Sequence, residues 1–165
     1  MLNLYYEKQK GDLCRLHSLN AYFGYHKINE RLFYELCDEY DSIIDGLKSR
    51  EMDGFAEGRS IISYILDKYD NKYVFLIPIN SYKKAREHID IDFYNRILRS
   101  CKSYFEFNKS HIWINKKIVN KWYKIDSLIG VNLSNIPSIN NNGFLIVIEN
   151  WNLFNTIKYN LNQLK

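Results

Sequence analysis

In the N-terminal half of the chain, apolar side chains recur at intervals of three and four, the spacing of helices with one buried face. Leu13, Leu16, Asn20 and Phe23 share one side of a helix that Asp12 can cap and Gly24 can stop. Asn29 is placed to cap a second helix, with Leu32, Leu36 and Tyr40 on one face, and Ile61, Ile62, Ile65, Leu66 and Tyr69 define a third. Between these two, Ser42 to Arg59 is less regular, carries Gly46, Gly54 and Gly58, and reads as an arm or loop. After Tyr73 the pattern changes. Tyr73 to Ile79, interrupted at Pro78, is a short aromatic and β-branched run that predicts a strand. Tyr82 to Leu98 is expected to hold one or two helices. Tyr104–Phe107, Ile112–Ile114, Trp122–Ile125 and Phe144–Ile148 are four further strand candidates separated by turn-forming residues, and the Asn/Ser-rich stretch Asn132 to Asn142 reads as a loop. Helices first and antiparallel strands afterwards predict an α+β fold.

Composition narrows this to one domain. The 165 residues are 46% apolar and 16% aromatic, enough for a core, and neither a repeat nor a Gly/Ser- or Pro-rich linker divides them, so residues 1–165 are expected to form a single unit, a monomer. The net charge is +4 and the lysines are scattered in pairs such as Lys83/Lys84 and Lys116/Lys117. No basic stripe forms, so no specific nucleic-acid partner is expected. Cys14, Cys37 and Cys101 are odd in number, far apart and without a CxxC pair, which argues against both a disulfide framework and a zinc site. The N-terminal stretch lacks a signal-peptide pattern, and no apolar run approaches the roughly 18 residues of a membrane span, so no membrane contact and a cytoplasmic location are expected.

Candidate chemistry lies in two places. Cys14 falls in the first turn of the first predicted helix, where unpaired N–H groups and the positive end of the helix dipole stabilise a thiolate. Attack of that thiolate on an amide carbonyl creates an oxyanion, for which the Cys14 N–H and the side-chain amide of Gln9, brought alongside by a turn at Gly11, are suitable donors. On this spacing alone a buried packing role for Cys14 competes with a nucleophile. About a hundred residues on, His111 opens one predicted strand and Asp126 closes the next, with a turn through Lys116 to Asn120 between them. Two such side chains can lie side by side, and a carboxylate there would fix the imidazole tautomer. A surface histidine and a turn aspartate are the alternative. His17 shares the Cys14 helix face and reads as a supporting residue. His26 and His88 are expected to face solvent; Cys37, Cys101, Trp113, Trp122 and Trp151 are expected to pack.

The two blocks together carry a family resemblance. Glu7, Gln9, Leu13, Cys14, His17, Leu19 and Asn20 stand in the register of the opening motif of Josephin domains, the deubiquitinase family that includes ataxin-3 and the josephins. Downstream, Tyr123-Lys124-Ile125-Asp126-Ser127 is similar to the family segment that carries the third catalytic residue, and its Asp is that of the josephins. The resemblance spans about Tyr5 to Ile148 and is sharp in these two blocks. It implies a papain-like cysteine protease fold, with N-terminal helices packed on an antiparallel sheet. It also implies Cys14 as nucleophile, His111 as general base, Asp126 as its orienter and Gln9 in the oxyanion hole, with no metal or organic cofactor. The implied partner is ubiquitin or a polyubiquitin chain, attacked after its C-terminal glycine, with its globular surface on the second helix or the Ser42–Arg59 arm.

Three departures qualify what carries over. Ile112, with Trp113 after it, follows His111 where the family has Trp directly. The arm region, about Ile28 to Arg59, is short, and the Asn/Ser loop stands where the family places another helix. Two other functions therefore accompany the first: a ubiquitin-binding module with weak or no catalysis, and a cysteine hydrolase acting on a ubiquitin-like modifier or a ubiquitin ester.

Overall fold

The computed structural model describes residues 4–43, 61–79, 91–150 and, near the C-terminus, 152, 153, 155–157 and 159. The expected arm beyond Ser42 and Ile43, which end a helix, the first part of the 82–98 helical region, His88 and Trp151 lie outside the described residues. Among the described residues the elements follow in the order α1 (Cys14–Phe23), α2 (Glu30–Ile43), α3 (Ile61–Asp70), β1 (Tyr73–Ile77), α4 (Ile91–Ser100), β2 (Ser103–Phe107), β3 (Ile112–Ile118), β4 (Lys121–Asp126), β5 (Gly130–Ser134) and β6 (Gly143–Ile148). The strands form one antiparallel sheet in the order β1-β6-β2-β3-β4-β5. The fold is α+β, as the pattern predicts, and β1 precedes α4 where the Tyr73–Ile79 run places it; it pairs with the last strand. One element differs: β5 occupies Gly130 to Ser134, part of it in the stretch read as a loop, because its short Val131–Leu133 alternation is exposed and runs into Asn/Ser-rich sequence.

Residues on β6 explain why the sheet is buried on both sides. Leu145 and Val147 pack into the cluster with α1, α2 and α3, while Phe144, Ile146 and Ile148 pack with α4, Trp122 and Ile157. An unbroken apolar run is what a strand covered on both faces requires. The N-terminal helices thus cover one face, and α4 helps cover the other.

Helix α1 is fastened to β3 at two levels. Ser18 Oγ donates to Ile112 O (3.3 Å), and Lys116 Nζ donates to Ala21 O and Tyr22 O (3.1 Å each), satisfying carbonyls at the helix C-terminus. The order of these contacts makes α1 run parallel to β3, so the helix N-terminus overlies the start of the strand. The C-terminal stop is as expected: Gly24 takes a left-handed conformation (φ 84°) and donates its N–H to Asn20 O at 2.9 Å.

The start of α1 differs. Asp12 does not cap it; Leu13 occupies the N-cap position without any side-chain cap bond, and the helix begins at Cys14. At α2 the expected cap is present, with Asn29 Oδ1 accepting the N–H of Leu32 at 2.8 Å. The β3–β4 turn is also tighter than Lys116 to Asn120. Ile118 pairs with Lys121, and the turn is Val119-Asn120, both at positive φ (48° and 61°), the geometry of a two-residue hairpin loop.

Candidate active site

Parallel placement of α1 on β3 brings Cys14 to the end of the sheet where β3 starts. His111 is set there by Asn108, whose Oδ1 accepts the N–H groups of Ser110 and His111 (2.9 Å each) and whose own N–H donates to His111 O (3.0 Å). The β3–β4 register, continued one residue past the Ile114–Ile125 pair, puts Asp126 opposite Trp113 and hence on the face of His111. The two side chains meet: His111 Nε2 lies 2.6 Å from Asp126 Oδ1, which also accepts the Leu128 N–H at 2.9 Å.

The Cys14 thiol also lies close enough to His111 to act on its titration. With Nε2 committed to Asp126, the imidazole stands between the Cys14 thiol and the Asp126 carboxylate. The Asp126 bond first, and the Cys14 thiol second, push His111 up from the ordinary imidazole value to about 9. Burial on its own would raise Asp126; the bond from His111, the Leu128 N–H and the nearby Lys124 charge outweigh it and hold the carboxyl below its usual value. Lys124 Nζ sits 3.9 Å from Asp126 Oδ2 and 4.4 Å from the centre of the Trp113 ring.

The Ile112–Trp113 departure also has a structural account. Ile112 is fully buried against α1, and Trp113, on the other face, brings its ring within 5.9 Å of the His111 ring.

Cys14 is the first residue of a helix whose N-cap, Leu13, makes no side-chain cap bond. The residue is only 1% exposed. A thiol so enclosed admits a thin, extended chain more readily than a bulky side chain.

Gln9 is drawn to the same place from the N-terminal loop. Its N–H donates to Ser127 O (2.8 Å), its Oε1 accepts from Ser127 Oγ (2.7 Å), and its Nε2 donates to Gly11 O (2.9 Å). Gly11 adopts φ 56°, which favours glycine, and an amide NH2 retains a second proton after the bond to Gly11 O. The structure therefore brings Cys14, His111 and Asp126 together at one end of the sheet, with His111 bonded to Asp126, and ties Gln9 to the residue following Asp126.

Glu7 is a component that composition and spacing did not single out for a role. Its carboxylate, mostly buried, bonds His17 Nδ1 (2.8 Å), His26 Nδ1 (2.5 Å), Asn20 Nδ2 (3.1 and 3.3 Å) and the Tyr5 hydroxyl (2.6 Å). Burial would raise it, but these bonds together hold it down at about 2. His17 Nε2 accepts the Lys10 N–H at 3.1 Å, so its Nδ1 carries the proton donated to Glu7. His17 is thus a brace between the loop of Gln9 and the helix of Cys14. His26 is exposed as expected, yet it is paired with Glu7. The signals for Glu7 and Ser127 were their places beside Gln9 and Asp126 in the two sequence blocks.

Cys37 and Cys101 are buried packing residues; the Cys101 thiol donates to Leu98 O (3.0 Å), and burial pushes it up to about 12. Among the described residues no group of three or more His, Cys, Asp or Glu is arranged to hold a metal, and no helix is long and apolar enough to cross a membrane. Exposed apolar side chains gather beside the site at Leu128, Ile129, Val131, Leu133 and Ile136, whereas described α2 presents Ile43 as its exposed large apolar residue. No protein-family model matches this chain, and no curated protein matches it.

Proposed function

We propose that this chain is a cysteine deubiquitinase of the Josephin type, with a papain-like fold, that cleaves the bond after the C-terminal glycine of ubiquitin. The observation that carries the reading is the bond from His111 to Asp126, with Cys14 at a helix N-terminus close enough to act on the same imidazole. The Cys14 thiolate attacks the glycine carbonyl carbon, and the oxyanion is held by the Cys14 N–H and the second Nε2 proton of Gln9. Collapse breaks the C–N bond, with His111 giving a proton to the departing lysine amine. Water, deprotonated by His111, then attacks the thioester carbonyl and returns Cys14 as thiolate.

The near-complete burial of Cys14 supports a substrate whose last residues are glycines, since no side chain then has to enter. The exposed strip from Leu128 to Ile136 offers an apolar surface of the kind a ubiquitin body needs close to the cleavage point.

The experiment is reaction with ubiquitin bearing a C-terminal electrophile, read by gel shift and intact mass. A ubiquitin-sized adduct is expected, absent in Cys14→Ala and weakened in His111→Ala. A folded wild-type protein that gives no adduct rules the reading out. A binding module with weak catalysis is the second reading, favoured by one observation: Gln9 Nε2 already donates to Gly11 O. Binding of ubiquitin without turnover or adduct would select it. A ubiquitin-like modifier as substrate would show as an adduct with that modifier's probe alone.

A further inference from the structure

The residue after Asp126 makes contacts that the catalytic cycle above does not use. Ser127 is buried, at the end of β4, and both its hydroxyl and its carbonyl are spent on Gln9, 118 residues away in sequence. Its carbonyl also accepts the Tyr6 hydroxyl at 3.3 Å. The chemistry of these partners fixes which end of the Gln9 amide points where. Gly11 O is a pure acceptor, so the atom 2.9 Å from it must be Nε2; the other end is then Oε1, and the Ser127 hydroxyl must be its donor. Without that hydroxyl the Gln9 oxygen loses its donor, and the carboxamide is held by the Gly11 O bond alone.

Resting on the reading of Gln9 as an oxyanion donor, we propose that Ser127 is a positioning residue that locks the Gln9 carboxamide in the orientation presenting Nε2 to the reaction. Asp126 and Ser127 then act as a pair of neighbours with separate charges: the first orients the base, the second orients the oxyanion donor. A single turn of chain keeps the two halves of the site in register with each other.

The test is a double-mutant cycle of Ser127→Ala and Gln9→Ala, with kcat and KM measured on ubiquitin carrying a C-terminal fluorogenic amide. Loss of an oxyanion donor costs about 100-fold in kcat, so Gln9→Ala is expected near that figure and Ser127→Ala at roughly 10-fold, with KM within about 2-fold in both. The decisive result is the double variant, expected to be no slower than Gln9→Ala, since Ser127 acts through Gln9. Ser127→Thr, which keeps the hydroxyl, should restore kcat to within about 3-fold of wild type. Multiplicative losses in the double variant, an unaffected kcat in Ser127→Ala, or an unaffected kcat in Gln9→Ala would each overturn the proposal. If Ser127→Ala does not fold, the Thr and Val variants at this position, alike in shape and differing in the hydroxyl, replace it; equal activity of the two overturns the proposal. Turnover by wild type with a multiplicative cycle removes only the role of Ser127, whereas a folded wild type without turnover removes the deubiquitinase reading with it.

Discussion

His111 and Asp126 sit on neighbouring strands whose main-chain ladder sets their spacing, whereas Cys14 and Gln9 sit on a helix end and a loop held largely by side chains. The strand half needs little beyond its register and the Asn108 turn. The N-terminal half depends on polar groups gathered from distant places: Glu7, His17, Asn20 and Ser127. A ladder spreads its stability over many bonds, but a buried carboxylate hub concentrates it, and removing one member leaves the others unsatisfied. The two halves should therefore fail differently when disturbed.

The largest effect is expected at the hub. Glu7→Ala strips partners from His17, Asn20, His26 and Tyr5 at once, and breaking such a mostly buried charged cluster costs about 3 kcal/mol or more of folding stability. Urea unfolding at neutral pH measures it, and a loss under about 1 kcal/mol would mean that the hub is replaceable by water. The strand half has its own weak point, which is steric. A Cβ at Gly143 would lie 2.3 Å from Phe107 Cζ, and Phe107 pairs with both Gly143 on β6 and Ile112 on β3. Gly143→Ala should cost about 2 kcal/mol through overpacking, and removing the ring with Gly143→Ala/Phe107→Leu should recover part of it. Additive losses in that pair would place the cause elsewhere.

Acid and base should separate the halves by sign. Glu7 is depressed from 4.5 to about 2, so its contribution is full above its unfolded value and is lost as pH falls toward 2. His111 is raised from 6.5 to about 9, so its contribution is full below 6.5 and is lost as pH rises through about 9. The stability gap between wild type and Glu7→Gln should narrow in acid, and that between wild type and His111→Gln should narrow in base. Activity that needs protonated His111 should decline on the alkaline side near pH 9, and Asp126→Asn should draw that limb toward neutral pH. A limb unmoved by Asp126→Asn would contradict the bond that raises His111 most.

The sequence disclosed these halves unequally for the same physical reason. Cys14, Gln9, His111 and Asp126 could be nominated because each stands in a short local pattern, and α2, α3 and the apolar strands because their periodicity is strong. The alternation of Val131 and Leu133 with Asn132 in β5 is too short and too exposed to outweigh the Asn/Ser-rich composition that follows it, which reads as a loop. β1 was found as a strand, but its pairing with β6, some seventy residues away, is a tertiary fact. Asp12 has the residue type of a cap, yet the helix starts at Cys14 without a side-chain cap bond, a departure from the usual preference at the proposed site. The Glu7 hub was the least legible, since its partners are separated by up to 19 residues and meet only when α1 and the loop after it have formed.

The smallest predicted effect lies in the turn that joins the strands of the His111 half. Val119 holds φ 48° while 83% exposed, a backbone region that a β-branched residue enters only at a cost, and Asn120 beside it holds φ 61°. Its side chain makes little packing that could repay this, so the turn geometry is imposed by the pairing of Ile118 with Lys121. Val119→Asn keeps the two-residue loop and supplies a residue at ease with positive φ, followed by Asn120. It should stabilise the protein by about 0.5–1 kcal/mol, seen as a higher urea midpoint with an unchanged slope. The gain should be the same in the Glu7→Ala background, because the hairpin and the hub share no partners. A gain that vanishes there would mean that the strand half and the N-terminal half are energetically one unit, and the contrast between them would then be one of geometry alone.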